Sequence, residues 1–108
     1  MYRQRWANKY GATKVSYNGY IYASKAEAAQ AQALDLLLKA GEIKSWDRQV
    51  TIPLMVNGRR VANYRVDFLI NHNDGTKEYL EVKGMELPLW RQKWKHFEAQ
   101  VKDDPNIR

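Results

Sequence analysis

Three turn signals constrain this chain most, because each ends one strand-like stretch and begins the next. Asn18-Gly19 and Asn57-Gly58 predict two-residue hairpin turns, and Asn73-Asp74-Gly75 marks a third turn. The chain has 108 residues, which is enough for one domain with a core of its own. We therefore expect a single domain over residues 15–108, in which hairpins supply the strands of the sheet.

Two helices complete the predicted element order. Ser24 can cap a helix that runs to about Ala40, and Gly41 suits its C-terminal stop. The spacing predicts that its core face comprises Ala26, Ala29, Ala33, Leu37 and Ala40. A second helix is expected to begin near Leu89, with an apolar face that packs on the core: Trp90, Trp94, Phe97 and Val101. The order hairpin, helix, three strands, helix predicts an α/β fold with a central mixed or antiparallel sheet flanked by two helices.

The charge balance points to a polyanionic partner. There are 18 Lys and Arg against 12 Asp and Glu, a net charge of +6, although such charge also serves solubility. Residues 1–14 are predicted to form a flexible basic arm, whose cations are Arg3, Arg5, Lys9 and Lys14. Other candidate phosphate contacts lie at a hairpin tip and on the last helix: Arg59, Arg60, Arg91, Lys93 and Lys95. The alternative for each is an ordinary solvated surface.

The absence of cysteine excludes a disulfide framework and a zinc–thiolate site. No apolar run approaches the length that crosses a membrane, and the N-terminus lacks an apolar signal region. We therefore expect a soluble, cytoplasmic protein without a membrane partner.

Two acids stand in strand-like, apolar surroundings on either side of the third turn. Asp67 and Glu81 would be costly there unless something compensates their charges. A two-residue turn would place them on opposite faces of the sheet, whereas a three-residue loop over 73–75 sets residue 67 directly opposite residue 81. We expect the three-residue loop, with Gly75 in the left-handed conformation.

Opposed carboxylates with Cβ atoms about 5 Å apart repel each other unless a cation lies between them. Mg²⁺ or Mn²⁺ accepts such hard oxygen ligands. Lys83, two residues beyond Glu81, is predicted to project from the same face. A metal-bound water and a nearby ammonium would make a hydrolytic centre. The alternative is that both acids face solvent, with Lys83 or Arg65 as salt-bridge partners.

Several linked motifs carry a family resemblance. With "RVD" at 65–67 and "EVKG" at 81–84, the chain resembles the PD-(D/E)XK nuclease superfamily. The stretches "NKYGATK", "SKAEA", "KAGEI" and "DRQV" are similar to a family of small phage-encoded nucleases related to Holliday-junction resolvases. The likeness covers nearly the whole chain, and it implies a restriction-endonuclease-like core.

The resemblance assigns roles to individual residues. It implies that Asp67 and Glu81 are metal ligands, assisted by the backbone carbonyl of Val82, and that Lys83 orients or activates the attacking water. It also implies that Glu27, on the first helix, completes the catalytic metal site directly or through water.

Two further positions are less specific. Gln49 stands where a polar active-site residue sometimes occurs in the superfamily. For Glu27, the alternative is a capping box with Ser24, in which its carboxylate accepts from the amide of the N-cap residue.

The chain also departs from the superfamily pattern. Val66 replaces the proline that gives the superfamily its name. Gln92 is followed four positions later by His96 rather than by tyrosine, which disfavours the exonuclease-like branch. The strand that usually follows the last helix would be very short, absent or supplied by a partner. His72 and His96 lack metal-ligand spacing, and we assign them no role.

The resemblance implies an endodeoxyribonuclease that depends on Mg²⁺ or Mn²⁺, leaves 5′-phosphates and acts on branched or structured DNA as a homodimer. The alternative is a non-catalytic DNA-binding module of a phage or mobile-element DNA-processing complex. An RNA substrate also stays open at this point.

Overall fold

A computed structural model of the protein describes residues 14–82 and 88–108. These residues form two compact units. One contains residues 14–43 and 82, and the other contains residues 44–81 and 88–108. The described elements are five strands and two helices, in the predicted order of hairpin, helix, three strands and helix. The protein is thus a small α/β protein.

The first unit begins with a tight hairpin. Strands β1 (Val15–Tyr17) and β2 (Tyr20–Tyr22) pair antiparallel around Asn18-Gly19. Both turn residues are left-handed, with φ of 51° and 87°, as a two-residue turn of this type requires. The predicted hairpin is confirmed.

Helix α1 (Lys25–Lys39) follows the hairpin, and both of its ends are capped locally. The Ser24 hydroxyl accepts from the amide of Glu27 at 3.2 Å. At the C-terminus the amides of Gly41 and Glu42 donate to carbonyl oxygens within the last turn of the helix, at 3.1 and 2.9 Å. Gly41 is left-handed, with φ of 75°. The predicted helix boundaries are correct to within one residue.

The predicted core face of α1 is wrong. The buried residues are Ala28, Ala31 and Leu34, whereas four of the five predicted residues, Ala29, Ala33, Leu37 and Ala40, are exposed and Ala26 is half-buried. Alanine and leucine occur on every side of this helix, so that more than one stripe satisfies the same spacing. Packing decided which stripe is covered.

The second unit is built on an antiparallel sheet in the order β3-β4-β5. Strand β3 (Ser45–Val56) and strand β4 (Arg59–Asn71) are joined by Asn57-Gly58, with φ of 49° and 78°. Strand β5 (Lys77–Leu80) pairs with the second half of β4. Both predicted hairpins are therefore present, and the three-stranded sheet is antiparallel.

Both edges of this sheet are covered over part of their length. The amide of Lys77 donates to the carbonyl of Asn106 at 2.7 Å, and Ile107 forms a parallel bridge with Lys77. Of the three alternatives for a strand after the last helix, the very short one is therefore correct. On the other edge, the Gln100 side chain accepts from the amide of Met55 at 2.8 Å and donates to the carbonyl of Pro53 at 3.0 Å.

Helix α2 (Pro88–Val101) supplies the other half of the core of this unit. Phe97 is 3% exposed and packs with buried strand residues, namely Ile52, Leu54, Tyr64 and Val66. The other residues of the predicted apolar face, Trp90, Trp94 and Val101, are partly buried against the same cluster. The predicted face of this helix is confirmed. Within the described residues, neither helix has the length and apolar character that crossing a membrane requires.

Candidate functional site

The turn between β4 and β5 places the two acids opposite each other. The amide of His72 donates to the carbonyl of Thr76 at 2.9 Å, which closes a loop of three residues, and Gly75 is left-handed with φ of 89°. The register then pairs Phe68 with Leu80. One more step of the same register sets Asp67 opposite Glu81. The predicted loop length is confirmed.

A direct contact joins the two positions. The backbone amide of Asp67 donates to Oε1 of Glu81 at 3.1 Å. The main-chain ladder of β5 ends at Leu80, one residue before Glu81. Both acids are half-buried. The sheet thus holds two carboxylate side chains at the end of one hairpin ladder.

Gln49 stands on the other side of Asp67, and its backbone is strained. The register of β3 and β4 pairs Arg48 with Phe68 and Val50 with Val66, so that Gln49 lies opposite Asp67. Its φ is 54°. The other described non-glycine residues with positive φ are asparagines in turns, where this conformation is common. A glutamine within a strand has no such local reason, and strain of this kind accumulates at functional sites.

The left-handed residue coincides with a change in the alternation of the sheet. Tyr64 lies 5.9 Å from Phe97 between ring centroids, and Tyr79, which is paired with Leu69, lies 4.9 Å from the same ring. In a regular sheet, positions 64 and 69 of one strand face opposite sides. The alternation of side chains between the two sides of the sheet therefore shifts between positions 64 and 69. Gln49 lies opposite this part of β4.

This change brings a tyrosine to the acid pair, a residue that the sequence analysis missed. The hydroxyl of Tyr64 lies close enough to the Glu81 carboxylate for its negative charge to raise the pKa of the tyrosine. The same hydroxyl accepts from Nε1 of Trp90 at 3.2 Å. Because the indole N–H is only a donor, the proton of the tyrosine is not used by this bond. The surroundings of Glu81 thus include the amide of Asp67, from which it accepts, and the hydroxyl of Tyr64.

The surroundings of Tyr64 alter its acidity. Burial, together with the negative charge of Glu81, raises the pKa of Tyr64 well above its ordinary value of 10.0. The donated bond from Trp90 acts in the opposite direction but is smaller. The hydroxyl thus stays protonated at all pH values near neutrality.

Replacing Tyr64 with phenylalanine is expected to lower the free energy of unfolding by about 1–3 kcal/mol at pH 7, since it removes the hydroxyl that accepts from the Trp90 N–H. The raised pKa of Tyr64 stabilises the fold fully below pH 10 and progressively less above it. Stability of the wild type should therefore fall more steeply between about pH 10 and pH 12 than that of Tyr64→Phe.

Urea unfolding across this pH range measures both effects. The exposed Tyr20 provides a matched control, and Tyr20→Phe should change the free energy of unfolding at pH 7 by less than about 0.5 kcal/mol. Equal slopes for the wild type and Tyr64→Phe would show that the hydroxyl is not in the environment described above.

Replacing Gln49 with glycine is expected to raise the free energy of unfolding by about 0.5–1 kcal/mol, because glycine adopts a φ of 54° without steric cost. Gln49→Ala should lower it, since alanine keeps the strain and loses the side-chain contacts. Chemical denaturation of both variants separates the cost of the left-handed backbone from the contribution of the side-chain contacts. A stabilised alanine variant would contradict the left-handed conformation.

Glu27 lies in the first unit, and there it acts as a helix cap. Its Oε2 accepts from the amide of Ala23 at 3.2 Å, while its own amide donates to Ser24. The predicted capping interaction is thus present, but it reaches one residue further than the N-cap amide that was expected. A role for Glu27 at a metal stays a prediction.

The remaining predicted residues are distributed as follows. Val82 is half-buried and directly follows Glu81 in the chain. Lys14, Arg59, Arg60, Arg91 and Lys95 are exposed. The ammonium of Lys93 donates to the carbonyl of Asn63 at 2.9 Å, so that this lysine joins α2 to β4. The predicted lysine of the centre and three cations of the arm lie outside the described residues: Lys83, Arg3, Arg5 and Lys9.

The two histidines make contacts that stabilise the second unit. His72 and Glu78 are joined at 2.8 Å, and Nε2 of His96 donates to the carbonyl of Met55 at 3.0 Å. Within residues 14–82 and 88–108, no group of three or more His, Cys, Asp or Glu side chains is placed to hold a metal ion.

The fit to a metal therefore depends on the acid pair. Mg²⁺ is commonly bound through one or two carboxylates and keeps several waters, so that Asp67 and Glu81 have the donor chemistry for it. The set contains no sulfur and no imidazole, which disfavours softer metals. Two opposed carboxylates suffice for an ion that remains largely hydrated.

These features define a class of protein: a small α/β protein with two opposed carboxylates at the end of an antiparallel hairpin, one of them close to a buried tyrosine. The chain belongs to a protein family of unknown function, DUF1064, whose sequence model matches residues 7–106. No curated protein and no solved structure matches the chain.

Proposed function

We propose that the protein is a metal-dependent endodeoxyribonuclease with a restriction-endonuclease-like core. The observation that carries the proposal is the opposed placement of the two acids on neighbouring strands, where Glu81 accepts from the backbone amide of Asp67 at 3.1 Å. Two carboxylates at opposed positions of a hairpin have a clear physical role if they share a cation, and little benefit to stability otherwise.

The side chains around the pair have distinct roles in this proposal. Asp67 and Glu81 would hold Mg²⁺ or Mn²⁺, assisted by the carbonyl of Val82. Tyr64, whose hydroxyl lies close to the Glu81 carboxylate, would orient it. Lys83 would hold or move the proton of the attacking water. The ion, when bound, supplies an activated water and offsets the charge of the phosphate.

The reaction adds water across a phosphodiester bond. A bond forms between the water oxygen and phosphorus, the bond from phosphorus to the 3′ oxygen breaks, and that oxygen takes up a proton. The products are a 5′-phosphate and a 3′-hydroxyl. DNA as the substrate is supported by the net charge of +6 and by the family resemblance. Branched DNA and a homodimer with two centres rest on the resemblance.

The proposal is tested by incubating the full chain with supercoiled plasmid, linear duplex and a synthetic four-way junction, each with Mg²⁺, Mn²⁺ or EDTA. We expect cutting that requires a divalent ion and is lost in Lys83→Ala. If a folded protein binds these DNAs but cuts none with either ion, it is the non-catalytic DNA-binding module. If the protein cuts RNA of the same sequences but does not cut the DNA, its substrate is RNA rather than DNA.

A further inference from the structure

The hairpin of β3 and β4 has an unusual charge distribution. Residues 48–66 contain four arginines and no aspartate or glutamate, although the chain as a whole has 12 acidic residues. No lysine occurs in this stretch either. Arginine presents a planar fork that matches phosphate oxygens in a bidentate manner, which lysine does not. A ribbon with only guanidinium charges is suited to a phosphate backbone.

Three of the four arginines are exposed: Arg59, Arg60 and Arg65. Arg65 is paired with the exposed Thr51, and Asn63 is exposed two residues further towards the tip. These positions alternate with the buried Ile52 and Tyr64, so that they share the side of the ribbon that faces away from the core cluster. Arg59 and Arg60 follow a register shift after Leu54 and, as successive strand residues, project to the two sides of the tip. We call Thr51, Asn63 and Arg65, together with these two tip arginines, the outer ribbon face.

The ribbon is braced where it leaves the core. Gln100 holds the main chain of β3 at Pro53 and Met55, and His96 donates to the carbonyl of Met55. The turn itself is a two-residue Asn-Gly turn, with little freedom. A braced ribbon loses little conformational entropy when a ligand binds, which favours its use as a docking element.

The dimensions fit a groove of double-stranded DNA. A two-stranded ribbon has strands about 4.8 Å apart and enters a major groove that is about 12 Å wide. From Arg59 to Arg65 the strand rises about 20 Å, which corresponds to about six base pairs. Val56 and Val61, 47% and 57% exposed, stand beside the tip arginines and offer apolar contact to base edges.

We propose that the outer ribbon face is a docking surface for duplex DNA, with Arg59, Arg60 and Arg65 on backbone phosphates and the ribbon tip in the major groove. The inference rests on the proposed function, because it assigns the surface that holds the substrate of that centre. It concerns binding alone, so that it is measured without cleavage.

The test is fluorescence anisotropy of a labelled 20-base-pair duplex in EDTA, over a series of salt concentrations. Arg59→Gln/Arg60→Gln/Arg65→Gln is expected to weaken binding at least about 10-fold at 0.1 M salt and to reduce the slope of log K against log salt by about 3. The charge-matched control is Lys25→Gln/Lys39→Gln/Lys102→Gln, all exposed positions on other elements. It should change affinity by less than about 3-fold.

Two further arms distinguish the alternatives. The triple arginine-to-lysine variant keeps the charge and should regain the wild-type salt slope, because that slope depends on the number of phosphates neutralised. Duplex RNA of the same sequence should bind more weakly, since its deep, narrow major groove excludes the ribbon.

Equal loss in the ribbon and control variants would overturn the inference, because binding would then depend on overall charge. Unchanged affinity of the ribbon variant, or equal and ribbon-dependent binding of duplex RNA, would overturn it as well. A protein that binds through the ribbon but never cuts would leave the inference intact and remove the proposed function. A variant that lacks the three arginines and still cuts at the wild-type rate would overturn the inference and leave the proposed function intact.

Discussion

Replacing Asp67 with asparagine is expected to lower the rate of metal-dependent DNA cleavage by at least about 100-fold. Asparagine has the same size and keeps one oxygen, but it lacks the charge that attracts a divalent cation. The backbone amide of residue 67, which donates to Glu81, is unchanged. The fold should therefore be retained, and the loss should be confined to the chemistry.

Glu81→Gln is a parallel variant with the same expected loss. A glutamine oxygen can still accept from the amide of Asp67, so that the local hydrogen bond survives while the charge is removed. Both variants should bind DNA in EDTA with affinities within a few-fold of the wild type. A modest increase in affinity is expected, because each removes a negative charge from the neighbourhood of phosphate.

Initial rates on supercoiled plasmid at saturating Mg²⁺ provide the measurement. Asp103→Asn and Glu98→Gln are matched controls, since both positions are exposed and lie in the same unit. They should cut at the wild-type rate. If Asp67→Asn and Glu81→Gln also cut at that rate, the acid pair does not hold the catalytic ion, and any cleavage would have to come from elsewhere in the chain.

Replacing Phe97 with alanine is expected to lower the free energy of unfolding by about 3–5 kcal/mol. The ring is 3% exposed and contacts Tyr64, Tyr79 and Trp94 at centroid distances of 5.9, 4.9 and 5.9 Å. Its removal leaves a cavity between α2 and the sheet. The loss is a large fraction of the 5–15 kcal/mol that is typical of a domain.

Urea or thermal unfolding, followed by tryptophan fluorescence, measures this loss. Leu89→Ala on the same helix is the matched control, since Leu89 is 63% exposed and should change stability by less than about 0.5 kcal/mol. Phe97→Leu should fall between the two. A loss below about 1 kcal/mol for Phe97→Ala would contradict the position of this ring in the core.

The two predictions concern the same part of the molecule. Phe97 packs on Tyr64, and the Tyr64 hydroxyl lies close to Glu81. A destabilised core would therefore also loosen one of the carboxylates. Phe97→Ala should consequently reduce cleavage as well as stability, whereas Asp67→Asn should reduce cleavage alone. Comparison of the two variants separates the effect of core packing near Glu81 from the effect of direct ion ligation by Asp67.

The strained Gln49 is the feature that connects the fold to the site. Its left-handed backbone lies opposite Asp67, where the alternation of β3 and β4 changes phase. Without this change, Tyr64 and Glu81 would face opposite sides of the sheet, and the tyrosine could not reach the carboxylate. The backbone strain is thus offset by an arrangement of polar groups that a regular ladder would not permit.

The sequence by itself determined the turns, the hairpin register that opposes Asp67 and Glu81, the caps of α1 and the apolar face of α2. These features depend on interactions between residues a few positions apart, which local sequence controls. Gly75, for example, closes the three-residue loop through its own backbone freedom. Once that loop length is set, the register of the acids follows.

Only the tertiary structure decided which stripe of α1 is buried, that Gln49 is left-handed and that Tyr64 lies close to Glu81. Several stripes of α1 are equally apolar, so that the choice depends on what packs against it. The phase change arises where β3 and β4 pair across 18 residues of sequence, from Gln49 to Asp67. The free energy of this arrangement depends on contacts with the sheet, α2 and the two acids. These contacts are distant in sequence, so that local sequence does not predict the arrangement.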